Sequence, residues 1–453
     1  MINIDNYKAA FKNLPPNVEW AEVNADSRDE FSVSFRNGKQ SGTELYSKTV
    51  YYLQASSNGK KGIVYTEKAD EDPYTLIKHA VECAGFTDLK NVLPQDKNAN
   101  IPCIESESGS EEDILAFAEE LIREALILQD YILQSCSIRR MNQSRRVTNS
   151  LGLDNLHNQT YYLVNLDMGL KNKTGANMKA QFKRNVKSLS MLNSKELIYL
   201  GIDKLKQKTH DGKLNKTTLS TGKHNCVLSA DVVCNILNTA WQEFTGTNIN
   251  AGISIYKDLN DQVGPAIFNI IDAPNHPEWG FEAILDSEGV INKEKYIVKN
   301  GHLLNPMHTL LSADEAAQHS TGNAGRAALL SGTIPVNILT IPGIFYIKPG
   351  SKSPNELINE MNTGVYLTYS LDVFHSINIA SGEFSIPCGG IVYNDGKPVG
   401  TIEQVTIAGN LKDLFINIQD IGSDLQFEEF HYKNYCFGGP SLFIKDLAFS
   451  SSS

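Results

Sequence analysis

Over the first ninety residues, apolar and polar positions alternate with a period of two. Val18, Trp20 and Glu22 alternate with Glu19, Ala21 and Val23, and Phe31, Val33 and Phe35 share one face of a second such run, so the spacing predicts strands. Asn37-Gly38 and Asn58-Gly59 accept the positive φ that tight hairpin turns demand. They predict two chain reversals, the second between Tyr51-Tyr52-Leu53 and Ile63-Val64-Tyr65. A short helix is expected ahead of these strands. After them the period changes: Asp72 precedes Pro73 and then Leu76, Ile77, Ala80 and Val81, the pattern of a helix capped by Asp72 with proline in its first turn.

Residues 91–112 are rich in Asn, Ser, Asp and Glu and read as a connection. From Glu111 to about Gln134, Ile114, Leu115, Phe117, Ala118, Leu121, Ile122, Ala125 and Leu126 recur at helical spacing. Acidic residues occupy the first turn, where the helix dipole favours them, and one long amphipathic helix is expected. Strands are predicted at Thr160–Leu166 and Met178–Arg184, then a helix near Ser194–Leu205. The stretch Lys206–Lys223 lacks an apolar period and is the candidate boundary between lobes of residues 1–222 (subsegments about 1–90 and 111–205) and 223–453. The second lobe opens with a strand at Cys226-Val227-Leu228 and a helix capped by Ser229. Val232, Val233, Ile236, Leu237, Ala240, Trp241 and Phe244 give that helix a broad buried face. Short apolar runs split by Gly, Pro, Asn and Asp follow, the rhythm of a mostly β lobe, with one helix near Pro354–Met361. The tail, Ser450–Ser453, is expected to fray.

Composition narrows the function classes. At 453 residues the chain can hold two or three cores. Its formal charge of −11 repels phosphate backbones, which argues against direct nucleic-acid binding. The start of the chain carries no basic region followed by an apolar stretch, and no run is long and apolar enough to span a membrane, so a cytoplasmic location without membrane contact is expected. Seven scattered cysteines, never spaced Cys-x-x-Cys, read as free thiols, mostly buried.

Nucleotide-cradling and nucleophile-elbow signatures are absent from the sequence. Ser57-Asn58-Gly59-Lys60 fits Ser-x-x-Lys, but its residues suit the hairpin turn they sit in. None of the ten His is paired at helical metal spacing. His302 and His308 flank a Pro-bearing turn, and His431 and Cys436 lie five apart; a metal site built from them competes with the plainer reading of hydrogen-bonded His and an inert Cys. Asp286 and Glu288 could bind a cation or act as acid and base, or could be a solvated pair at a turn. Ser320-Thr321-Gly322-Asn323-Ala324-Gly325-Arg326 combines small residues that allow close approach of a ligand with an Arg able to pair with a carboxylate; the alternative is a tight surface loop.

Five segments, in order, carry a resemblance. They are Val147-Thr148-Asn149-Ser150-Leu151-Gly152, Asp286–Gly289, Ser320–Arg326, Ser381-Gly382-Glu383-Phe384-Ser385, and Val405–Leu411 leading to Ile421-Gly422-Ser423-Asp424. As a set the chain resembles the TldD/PmbA family, often labelled modulators of DNA gyrase. In TldD-type members the first helix of the C-terminal lobe carries His-Glu-x-x-x-His, two imidazoles for a metal and a carboxylate for water. Anchored on Thr245-Gly246 and Gly252–Tyr256, that motif falls here on Leu237, Asn238 and Gln242. Leu cannot coordinate zinc, Gln replaces imidazole poorly, and the Asn amide does not titrate near neutrality.

The resemblance therefore implies a PmbA/TldE-type member with no cofactor of its own. Zinc is expected in a TldD-type catalytic partner, and the pair would enclose a chamber for unfolded peptides. Asp286, Glu288, Ser320, Thr321, Gly322, Asn323 and Arg326 are its candidate peptide-binding residues, and a homodimer is an option without the partner. The older label leaves open a regulator that binds gyrase or another protein without proteolysis. The fold implied is α+β and two-lobed, an N-terminal α/β lobe and a C-terminal mixed, largely antiparallel β lobe with helices.

Overall fold

The computed structural model describes residues 4–101, 109–171, 178–326, 334–430 and 435–451. The N-terminal lobe runs α1 (Asp5–Phe11), β1 (Trp20–Arg36), β2 (Lys39–Ser57), β3 (Lys60–Thr66), α2 (Pro73–Ala84), α3 (Glu111–Leu126), β4 (Tyr131–Asn149), β5 (Asp154–Leu170), β6 (Lys179–Val186) and α4 (Ser194–Thr209). Its strands form an antiparallel sheet of order β3-β2-β1-β4-β5-β6. The two Asn-Gly pairs close the β1–β2 and β2–β3 hairpins with positive φ at all four residues, as their chemistry requires. Asp72 caps α2 by accepting from the N–H groups of Tyr74 (3.4 Å) and Thr75 (3.0 Å).

The two faces of this sheet serve different partners. On β1 the odd positions on either side of Ser27 and Asp29 are apolar: Ala21, Val23 and Ala25 pack under α1 and α2, while Phe31, Val33 and Phe35 pack under α3 and α4. The even positions, Glu22, Asn24, Asp26, Arg28 and Glu30, lie beside Gln54 to Tyr46 of β2 and Asn149 to Met141 of β4. An alternation of this kind ordinarily marks a solvated face. Here the C-terminal lobe covers it, and Glu22 and Asn24 are 2% and 0% exposed.

The C-terminal lobe comprises β7 (Gly222–Leu228), α5 (Ala230–Ala240), α6 (Gly246–Asn250), β8 (Ile270–Ala273), β9 (Lys295–Lys299), β10 (His302–Leu303), α7 (Leu310–Glu315), β11 (Ala324–Gly325), β12 (Leu339–Thr340), β13 (Ile344–Ile347), α8 (Pro354–Met361), β14 (Gly364–Ser370), β15 (Glu383–Asn394), β16 (Lys397–Asn410), α9 (Leu411–Ile416), β17 (Ile418–Ile421), β18 (Gln426–Phe430), β19 (Tyr435–Gly439) and β20 (Leu442–Ser451). One sheet has the order β10-β9-β8-β13-β19-β18, and β11 pairs with β12 apart from it. Another has the order β16-β15-β14-β7-β20-β17, and β16 also pairs with β20, so five of its strands close on one another. Only β13–β19 and β14–β7 are parallel among the described strand pairs. Between these sheets lies the largest apolar core, which α5 fills with Val232, Val233, Ile236 and Leu237.

Three expectations need correction. The helix that starts at Glu111 ends at Leu126 instead of running to Gln134, because from Tyr131 the chain joins the sheet opposite Leu170, and after a register shift between Leu133 and Ser135 it buries Cys136 and Ile138 at strand spacing. In the tail expected to fray, Ser450 and Ser451 pair with Thr406 and Val405, while Ser452 and Ser453 lie outside the described residues. Ser229 occupies the first cap of α5, yet its hydroxyl makes no capping bond; its N–H donates to the Leu367 carbonyl instead. Six described cysteines are free and five of them buried; Cys103 lies outside the described residues.

Candidate functional site

Leu237, Asn238 and Gln242 sit where α5 tightens into a 3-10 turn at Trp241–Phe244. Leu237 is 0% exposed and packed in the central core, and such burial stabilises by about 1.5–3 kcal/mol. Asn238 is half-buried, and Gln242 donates to the Thr239 carbonyl at 3.2 Å while its own carbonyl accepts from Asn248 at 2.9 Å. The nearest carboxylate in the chain, Glu243, is buried too. One of its oxygens accepts from the Ile255 N–H at 2.9 Å, the other has no hydrogen-bond partner among the described residues, and burial pushes its pKa up to about 7.

Asp286 and Glu288 are not a solvated pair; each is 4% exposed. Asp286 takes three backbone N–H groups: Glu288 (2.9 Å) and Val290 (2.8 Å) on one oxygen and Ala324 (3.0 Å) on the other. Glu288 accepts from the Leu310 N–H at 2.7 Å. The turn they build is held by the N-terminal sheet. Asn24 donates to the Ser287 carbonyl (2.8 Å), Arg145 to that of Leu285 (3.0 Å) and Asn155 to that of Gly289 (3.1 Å). Gly289 has φ +77° and no room for a Cβ, which would lie 2.5 Å from Leu153. Asn149 supports the same junction from the other lobe, accepting from the Leu151 (3.0 Å) and Leu153 (3.1 Å) N–H groups and donating to Glu22 (3.1 Å). Burial and the nearby Glu288 charge raise Asp286 to about 7, and burial raises Glu22 to about 8.

The Ser320–Arg326 segment is also mostly internal. Gly322, at φ +74°, lies so close to Asn292 that a Cβ would meet its backbone at 2.6 Å, so the close approach is to the protein itself. Asn323 donates to Asp272 (2.9 Å), and Asp272 pairs with Lys295 (2.7 Å), which reaches the Thr321 carbonyl (3.2 Å). Thr321 accepts from the His308 N–H (2.7 Å), and Ser320 donates to the His308 carbonyl (3.3 Å). Arg326 is 6% exposed and stacks its guanidinium 4.2 Å from the centre of the Tyr52 ring.

Between this roof and the polar face of the N-terminal sheet is a cavity of about 240 Å³. Asp26 and Arg145 cross its floor as a two-pronged ion pair (2.6 and 3.1 Å). Burial opposes ionisation of Glu282 in its wall, but bonds from His157 (3.4 Å) and Lys187 (2.5 Å) hold that carboxyl below its usual range. The structure thus brings Asp286, Gly322, Asn323, Ala324 and Arg326 to one cavity; Glu288, Ser320 and Thr321 are not in its lining, and Leu237 belongs to the apolar core of the C-terminal lobe. Sequence reading missed Glu22, Asp26, Arg145, Asp272 and Lys295. The even-position charges of β1 were visible, but nothing local marks them as covered. His302 is exposed with Nδ1 on the Asn260 carbonyl (2.9 Å), and His308 is buried beside Ser312 (3.3 Å). The Cys436 thiol is buried and pushed up by burial, and His431 lies outside the described residues.

These features define a two-lobed α+β protein whose antiparallel N-terminal sheet is latched, through a buried acidic turn, onto a β-rich lobe. Residues 221–451, a little over half of the chain, match the PmbA/TldA metallopeptidase C-terminal domain, and the chain belongs to the PmbA/TldD family. It is 24% identical over 392 residues to a metalloprotease PmbA homolog of Buchnera aphidicola, covering 86% of this chain and 80% of that one. Its fold matches a proposed modulator of a DNA gyrase from Thermotoga maritima (TM-score 0.80, 22% identity, 98% of each chain). It matches TldE from Thermococcus kodakarensis as well (TM-score 0.79, 16% identity, 96% of this chain and 97% of that one). A metallopeptidase family implies a metal, but Leu237, Asn238 and Gln242 do not fit one. Among the described residues no group of three His, Cys, Asp or Glu could hold an ion. No helix among them is long and apolar enough to cross a membrane.

Proposed function

We propose that this chain is a TldE-like, non-catalytic subunit that joins a TldD-type, zinc-bearing partner and helps to form the chamber in which unfolded peptides are cut. The observation that carries this reading is Leu237: at the first ligand position stands a side chain with no donor atom, 0% exposed and committed to the core. Asn238 and Gln242 complete the loss, since neither activates water as a general base. The β-rich lobe offers strand edges, and extended peptides are commonly held by pairing to such edges.

The test is hydrolysis of an unfolded peptide by the chain alone, by a TldD-type partner alone and by the mixture. Cleavage only when the partner is present, abolished by a chelator, supports the reading; chelator-sensitive cleavage by this chain alone overturns it. A pull-down separates the second reading, in which the chain is a regulator: recovery of gyrase subunits in place of a TldD-type protein would favour it.

A further inference from the structure

Several groups line the cavity between the lobes, and their charges are spoken for with one exception. Arg28 pairs with Glu30 (2.7 Å), Lys48 with Glu67 (2.7 Å) and Arg145 with Asp26 (2.6 Å). On the acidic side, Asp286 is filled by backbone N–H groups and Glu282 by Lys187 and His157. Arg326 is different: its Nε donates to the Val336 carbonyl at 3.3 Å, while both Nη atoms are buried and have no partner among the described residues. The amide nitrogen of Asn292, which also lines the cavity, is likewise buried and without a partner among the described residues. An unpaired cation away from water is expensive, and burial lowers the Arg326 pKa accordingly. Asp26 softens that burden from a distance.

We propose that this cavity is a carboxylate-binding site, in which the two Nη groups of Arg326, with the Asn292 amide as a further donor in the lining, take the terminal carboxylate of an extended peptide. Resting on the peptide-handling reading above, it adds the group that would be recognised. The geometry suits the task in three respects. The Tyr52 ring, 4.2 Å from the guanidinium, supports the group, and its two unpartnered Nη atoms form the planar fork that matches two carboxylate oxygens. Val50, Phe281 and Ile341 give the walls an apolar surface for the last side chain. The volume, about 240 Å³, falls just below the roughly 300–1,000 Å³ of pockets for drug-sized ligands and so suits one or two terminal residues. At the rim, Tyr46 is 47% exposed, so the remainder of a peptide has a way out.

The experiment compares three fluorescent or calorimetric probes on the full chain: a hexapeptide ending in Leu with a free carboxylate, the same peptide amidated, and N-acetyl-leucine. The free acid is expected to bind at least about tenfold tighter than the amide, the minimum for losing a charged hydrogen-bonded pair. R326M should bring the acid down to the amide's affinity, with R326K between, because ammonium carries the charge without the fork. Acid and amide binding alike to wild type, a comparison that needs no variant, removes the carboxylate site and leaves the peptide reading standing. Binding of N-acetyl-leucine but of neither peptide keeps the site and assigns it to free small acids, removing the peptide source. If none of the three binds, or a folded R326M still prefers the acid, the proposal is overturned.

Discussion

Replacing Asp286 by Ala strips one carboxylate from three backbone N–H groups at once, those of Glu288, Val290 and Ala324. Asp286 is 4% exposed, so water does not readily replace it. Each buried donor left unpaired costs about 1–3 kcal/mol, and even the low end of that range gives roughly 3 kcal/mol for three. A total stability of about 5–15 kcal/mol makes that a large fraction, whereas an acidic residue at a solvated turn would register within about 0.5 kcal/mol. D286N is the graded control. Its carbonyl oxygen still serves two of the three N–H groups, while its amide confronts the third, so it should fall between wild type and D286A. Urea unfolding with tryptophan fluorescence reads the effect, since Trp20 lies in one lobe and Trp279 in the other; limited proteolysis should find the junction open earlier. A folded D286A within about 0.5 kcal/mol of wild type would refute the latch.

Three further outcomes are expected. Glu22 has a folded pKa near 8 against 4.5 for the free group, so the folded state holds a proton that the unfolded state releases between those values. Its contribution to stability is therefore fully present below pH 4.5 and lost as pH rises towards 8. E22Q should match wild type near pH 5 and exceed it by a few kcal/mol at pH 8.5; parallel pH profiles from 5 to 8 would contradict this. K295M leaves Asp272, 0% exposed, without its cation, and should lower stability by about 3–5 kcal/mol, while D272N/K295M loses less than the sum of the singles; strict additivity on thermal melting would dismiss the pair. Gly322→Ala should destabilise by more than 1 kcal/mol, because both φ +74° and the 2.6 Å approach to Asn292 oppose a Cβ; an unchanged melting temperature would show that the segment gives way.

Local chemistry was legible and long-range burial was not. Asn37-Gly38, Asn58-Gly59, Asp72-Pro73 and Pro354–Met361 declare turns and helices because the deciding forces act within four residues. The helix after Glu111 was read too long because Leu128 to Gln134 supplies apolar residues that a helix or a strand could use, and only pairing with β5 settles the choice. At the candidate site the small residues of Ser320–Arg326 signalled close packing but not against what. The polar face of β1 carried the signature of solvent exposure. Its cover comes from residues more than 250 positions away, as in the bond from Asn24 to Ser287, and no window along the chain contains that information.

Metal content of the purified chain decides whether Leu237, Asn238 and Gln242 leave it unable to hold the peptidase zinc. After loading with excess zinc and desalting, the chain alone should retain only trace zinc, while a TldD-type partner treated in parallel keeps one equivalent. One tightly held zinc per copy of this chain, displaced by a chelator together with peptide-cleaving activity, would contradict it.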